Sequence, residues 1–509
     1  MRHAYGFRRY LRGMAVCLLL LTGCTSLVPQ QLPEQVALEP ADSSLWRALD
    51  QANQGNWFHL LNEGPAALDW RLRAIDSAVS SIDLQSFLWN NDTSGRLIMA
   101  HLVAAADRGV QIRILMDDSF LFATEDIAVA LHSHPRISYR IFNPYQRRSS
   151  DVILREILNL GEFHRLDHRM HNKAMVVDNR LAIVGGRNLA DEYFGLHGES
   201  NFRDMELISF GEMSQTVSNG FDTYWNNLWS IPIESLDEET VTQQLLLGDI
   251  RRYTLELSEV HSEETEAERL LHWQELAASE IPGSYKLLLD QPPSQSPLNP
   301  EDAPIQLSQE ILALIDAAEK EIVILSAYLI PSSEFEDALE RARERGVEIR
   351  LLTNSIRSNN HLTAHSAYRN HVRELIEIGT TLHEVRIDAR DRSVYMQTPV
   401  REKNLALHAK VMIVDGRQVF IGSANFDPRS LYINTEMGFL VDSPQLSRLV
   451  LDAVRRDFQL ENSWGLRLRI DGEVQWVSDS EVLDSQPHAS FMQSIEDWFF
   501  SKIPIEGEL

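Results

Sequence analysis

Cysteine is nearly missing from this chain: two in 509 residues, Cys17 and Cys24, both close to the start. No disulfide framework can be built from them. Long apolar runs are lacking too. The stretch Met14 to Leu21 is too short to cross a bilayer as a helix. Basic charge is in deficit, with 47 Lys and Arg against 74 Asp and Glu and a net charge of −27. That balance works against nonspecific nucleic-acid binding and against electrostatic adhesion to anionic lipid. No His/Cys/Asp group has the spacing of metal ligands, so the expectation is no metal and no cofactor.

What the chain does hold is a repetition. HNKAMVVDNRLAIVGGRN begins at His171, and HAKVMIVDGRQVFIGSAN begins at His408. The offsets 408 − 171, 410 − 173, 415 − 178, 423 − 186 and 425 − 188 are all 237. Each copy brings a His, a Lys, an Asp, a small residue and an Asn, which implies one active site built from two halves. The apolar runs Ala174 to Val177 and Val411 to Val414 are rich in β-branched residues and predict strands. Side chains alternate along a strand, so His171 shares a face with Lys173 and His408 with Lys410, while Asp178 and Asp415 have the other parity. The Asp-Asn and Asp-Gly dipeptides read as hairpin turns, with the Asp as turn and orientation residue. Gly186 and Ser423 close the second strands where a bulky side chain would obstruct a ligand. Asn188 and Asn425 follow with amide donors, completing the parts of an anion site.

The duplicated pattern H-x-K-x4-D-x6-G-[GS]-x-N resembles the signature motif of the phospholipase D superfamily, and both copies match it throughout. That resemblance implies metal-free phosphodiester chemistry, with one imidazole attacking phosphorus and the other serving as acid and then base. By family analogy His171 is the nucleophile and His408 the acid/base; the symmetry of the sequence does not choose. Lys173, Lys410, Asn188 and Asn425 correspond to the family's phosphate-binding groups, and Asp178 and Asp415 complete the candidate catalytic set. Among the carboxylates after the hairpins, Asp204, Glu206 and Glu436, preceded by Asn434, it is Glu206 and Glu436 that resemble the family's acidic partners of the imidazoles.

The repeat extends beyond the motifs. AIDSAVSSIDLQSFLW (74–89) resembles LIDAAEKEIVILSAYL (314–329), and DRGVQIRILMDDS (107–119) resembles ERGVEIRLLTNS (344–355). Helical patterns lie between them, Leu97 to Ala106 and Phe335 to Ala342, each ending in an Arg-Gly C-cap signal. Strand, helix, strand alternation predicts an α/β fold: two phospholipase D-like lobes related by internal duplication, 56–232 and 301–480, sharing one active site at their interface. Residues 24–55 read as an N-terminal tether, 233–300 as an acidic insertion and Pro-rich linker, and 481–509 as an aromatic C-terminal tail suited to an interface.

Arg2, Arg8, Arg9 and Arg12 before the apolar stretch read as a secretory signal covering 1–23. Leu21-Thr22-Gly23-Cys24 resembles the lipobox of bacterial lipoproteins, with Cys24 as the lipidated first residue. A membrane-anchored protein of the bacterial cell envelope, facing the periplasm, is implied, with inner or outer membrane left open. FLWNNDTSGRL (87–97), HPRISYRIFNP (134–144), RMHNK (169–173), VGGRN (184–188) and FIGSANFDPRSLYINTEMGF (420–439) resemble bacterial cardiolipin synthases, most like the C type. The resemblance implies transfer of a phosphatidyl group from one phospholipid to phosphatidylglycerol, with phosphatidylethanolamine as a candidate further substrate and the donor left open. A membrane is the expected partner and nucleic acid is not. The need for an accessory protein is open. A phospholipase D hydrolase releasing phosphatidic acid and a non-catalytic phospholipid-binding lipoprotein are the alternatives.

Overall fold

The computed structural model describes residues 31–52, 55–121, 124–149, 151–236, 246–253, 264–293 and 306–488. The signal segment with Cys24, residues 294–305 of the Pro-rich linker and the aromatic tail from 489 onward lie outside them. Two large mixed sheets form the frame, one of nine strands and one of ten. In the first, Ser81–Ser86, Gln111–Asp117 and Ile137–Phe142 run parallel, and the motif hairpin Ala174–Val177 and Leu181–Gly185 adds antiparallel to the first of them. The second sheet repeats the scheme with Glu321–Ser326, Glu348–Asn354 and Thr381–Val385 parallel, and the hairpin Lys410–Val414 and Gln418–Gly422 beside them. Both hairpins stand where their apolar runs place them. The helices Thr93–Asp107 and Ser333–Glu344 end at Gly109 and Gly346, whose φ of 104° and 87° only glycine adopts without strain.

Apolar burial forms three layers. One cluster packs helices on the outer face of the first sheet, through Ile82, Ile98, Leu102 and Ile112, and another does so for the second, through Ile322, Phe335, Leu339 and Ile349. The third lies between the sheets, where Val176, Val184 and Leu207 meet Val323, Val411, Ile413 and Phe439. The lobes therefore share a core. Backbone pairing crosses the interface as well: Ser200–Arg203 of the first lobe runs parallel to Asn404–Leu407 of the second.

Three boundaries differ from the sequence reading, one of them at the expected tail from 481, where Val482–Leu483 pairs with Val474–Val477 in the second sheet. Residues 31–52 are packed against the first lobe: Trp46 is buried, its indole N–H donates to Asp178 Oδ2 at 2.8 Å, and Ala37 N donates to Asp222 Oδ2 at 2.7 Å. The described part of 233–300 is also structured. Thr265 and Glu268 form a capping box for the helix Glu266–Ala278, whose buried Trp273 packs on Trp46 and Trp70. Ile281–Pro282 then joins the first sheet and Ser284–Leu289 the second, so the second sheet begins before residue 301. The acidic surface of the segment concealed these few apolar anchors.

Candidate active site

Each motif histidine sits just before its hairpin and is held by backbone from the opposite lobe. His171 N donates to Thr435 O at 2.9 Å, and His408 N donates to Arg203 O at 2.9 Å. The side chains cross the same interface. His171 Nδ1 lies 2.9 and 3.0 Å from the two oxygens of Glu436, and His408 Nδ1 lies 2.6 Å from Asp204 Oδ2. Both carboxylates are fully buried. A carboxylate only accepts, so each pair places the hydrogen on Nδ1 and leaves Nε2 as the nitrogen available to a substrate. Lys410 Nζ is 3.0 Å from the same His408 nitrogen, but the shorter carboxylate contact governs the tautomer. Lys173 and Lys410 each fold back onto the carbonyl of their own histidine, at 2.6 and 2.5 Å, which uses one of an ammonium's three donors.

The chain matches the family model for cardiolipin synthase, PLD-like domain, over residues 72–225 and 311–458. It is 32% identical over 451 residues to cardiolipin synthase C of Escherichia coli strain K12, covering 86% of this chain and 92% of that one. The chain belongs to the phospholipase D-like cardiolipin synthase family. Cardiolipin synthase B of Shigella flexneri is 24% identical, covering 78% of this chain and 79% of its own. The phosphatidylserine synthase of Haemophilus influenzae Rd KW20 shares the fold, with a TM-score of 0.58 at 15% identity over 92% of this chain and all of that one.

Membership in this enzyme family does not carry Glu206 into the site. Glu206 does not face an imidazole; it accepts from Arg71 on both oxygens and from Arg187 Nη1 at 3.3 Å. Its strand neighbour Gly185 and the equivalent pair Gly422 and Gly438 give the reason: in register, Glu206 matches Gly438, and Asp204-Met205 matches Glu436-Met437. The acid-Met dipeptide shared by the two halves is the signal that singles out Asp204. Arg187 Nη2 also donates to Asp204 O, so the Arg71–Glu206–Arg187 group buttresses the segment that carries the carboxylate.

Gly186 and Ser423 also act differently from the expectation of clearing room for a ligand. A Cβ at Gly186 would stand 2.3 Å from Asp204 Oδ1, and the Ser423 hydroxyl donates to Glu436 Oε2. One half leaves space for a short acid; the other braces a longer one. Asn188 donates to Tyr193 Oη at 2.8 Å, while its Oδ1 and that of Asn425 are buried without a partner among the described residues.

Asp178 and Asp415 stand away from the imidazoles, at the turns, both with φ of 54°. Asp178 accepts from the N–H groups of Val79, Ser80 and Ser81, and Asp415 from those of Glu319, Lys320 and Glu321. Their membership in the catalytic set is corrected to that of turn residues, as their strand parity indicates.

Aromatic rings close the imidazoles from the side. Phe87 meets His171 edge-on at 4.8 Å, and Tyr193 meets His408 at 4.9 Å. Sequence patterns gave no sign of either. Burial lowers both histidines, His408 well below its ordinary value, with Lys410 and Lys173 adding to the effect. Burial also brings Lys173 down to about 7 and Lys410 to about 8. Asp204 is pushed up by burial against the pull of Lys410, whereas for Glu436 the charges of His171 and Lys173 overcome burial and hold it below its usual range. Positive groups thus destabilise one another where they are buried together, which is the state an anion relieves.

Proposed function

We propose that the protein makes cardiolipin by moving a phosphatidyl group from one phospholipid to a glycerol hydroxyl of phosphatidylglycerol. The observation that carries the reading is the crossed pair of imidazole–carboxylate contacts, each histidine oriented by the other lobe beside two buried lysines. In the first half-reaction Nε2 of His171 attacks phosphorus, the bond to the departing alcohol oxygen breaks, and His408 gives that oxygen its proton. In the second, His408 takes the proton of the acceptor hydroxyl, whose oxygen attacks phosphorus and releases the nitrogen. The diester's negative charge between Lys173 and Lys410 raises the proton affinity of His408 and so supplies the acid form that burial disfavours in the empty site. The relatives' names support a synthase, and a lipid hydroxyl competes with water through its high concentration at a membrane surface.

The test is labelled phosphatidylglycerol, with phosphatidylethanolamine, in mixed bilayers. Cardiolipin is the expected main product, and phosphatidic acid a minor one. His408→Ala is expected to accumulate a labelled phosphatidyl adduct that His171→Ala does not form. Phosphatidic acid as the dominant product, independent of phosphatidylglycerol, means a hydrolase; an adduct on His408 reverses the roles.

A further inference from the structure

Several described side chains between the first lobe's last parallel strand and its motif have inverted polarity. In the helix Val152–Leu158, Arg155 is 3% exposed, and Asn159 just beyond it 4%, whereas Leu154 and Ile157 are 48% and 50% exposed. In the next turn, Phe163–Leu166, Phe163 is 56% exposed and Arg165 is buried, while Leu166 is buried and His164 exposed, so the inversion there is confined to the first of these pairs. The inward polar groups are engaged with loop backbone: Arg155 Nη2 donates to Ser119 O at 3.0 Å, Asn159 Nδ2 to Arg147 O at 2.8 Å, and Arg165 Nη2 to Pro144 O at 3.1 Å. A helix on a water-facing surface has the opposite arrangement.

One exposed aromatic beside this segment leads back to the active site. Arg155 fastens the helix to the loop carrying Phe120, itself 41% exposed, and Phe120 packs edge-on against Phe87 at 5.3 Å, which packs on His171 at 4.8 Å. Phe120 and Phe163 are the two phenylalanines among the large hydrophobic residues exposed in the described part of the chain. Arginines turned inward and aromatics turned outward beside a catalytic imidazole fit one environment, the acyl boundary of a bilayer, where apolar side chains enter roughly 5–10 Å below the headgroups. With a net charge of −27, the chain as a whole is not drawn to anionic lipid by its charge, which favours apolar contact.

We propose that Leu154, Ile157 and Phe163, with Phe120, form the face that inserts into a lipid bilayer and sets His171 at the depth of the phosphodiester. The proposal rests on the cardiolipin synthase reading only for the choice of lipid. Hydrogen exchange of the full chain, with and without vesicles of phosphatidylglycerol and phosphatidylethanolamine, is expected to show slowed amides across 152–166. The triple variant Leu154→Asp, Ile157→Asp, Phe163→Asp is expected to lose that protection and to turn over phosphatidylglycerol in vesicles about tenfold or more slowly. Its turnover of dispersed short-chain phosphatidylglycerol is expected to match that of the parent. Unchanged exchange at 152–166 on adding vesicles overturns the proposal, as does equal loss of turnover on both forms of substrate. Vesicle protection without cardiolipin formation upholds the docking face while removing the assigned reaction.

Discussion

Asp204 and Glu206 stand two positions apart, and only their partners tell them apart. Asp204 holds His408 Nδ1, while Glu206 neutralises Arg71 and Arg187. A carboxylate that fixes an imidazole's tautomer acts on the reaction; one that neutralises buried arginines acts on the fold. Asp204→Asn is therefore expected to lower kcat by about 10²–10⁴-fold and to change its pH profile, with a small effect on the thermal midpoint. Glu206→Gln is expected to lower the thermal midpoint and leave the pH profile of the folded fraction intact. The reverse pattern in kinetics and melting would assign the acid to Glu206. The histidines and lysines were legible because they repeat at a fixed offset. The acids were harder, since Asp and Glu differ by one methylene and the first-lobe strand adds a second carboxylate where the second lobe has Gly438.

The hairpin is the element on which the site is mounted, and its turn is tied down by one side chain in each lobe. Asp178 is completely buried and accepts three backbone N–H groups together with the Trp46 indole. Asp415 also accepts three N–H groups, but at a half-exposed turn where water substitutes for the lost acceptor. Removing an acceptor from buried donors costs about 1–3 kcal/mol for each group left unpaired. Asp178→Ala is thus expected to destabilise by about 3–5 kcal/mol and Asp415→Ala by about 1–2 kcal/mol, read from denaturant midpoints. Turnover per folded molecule is expected to survive in both. Equal losses would mean that burial and the Trp46 contact add nothing. Strand parity already set these aspartates apart from the His and Lys, so the hairpin was readable. Trp46 was not, because its partner lies 132 residues away and no local pattern marks a long-range hydrogen bond.

At the scale of the whole molecule, an acidic chain buries two lysines between its lobes. The duplicated α/β lobes were legible from periodicity and repetition, whereas the interface that buries both lysines depends on packing between distant segments. Lys173 falls to about 7 and Lys410 to about 8 because burial disfavours their charge. Unfolded, both titrate near the ordinary lysine value of about 10.4. Below pH 7 both states carry the protons and the full cost of burying the charges is present. Between about pH 7 and pH 10 the unfolded chain binds more protons, so these lysines destabilise the fold less as pH rises. An anion that pairs with the charged form offsets the cost where it is largest. Inorganic phosphate is therefore expected to raise the melting temperature at pH 7 more than at pH 9, compared with sodium chloride at equal ionic strength. Lys173→Met is expected to melt higher than the parent at pH 7 without phosphate and to lose most of the phosphate response. A response of the same size at both pH values, or one retained in Lys173→Met, would place the anion on the surface rather than between the lobes.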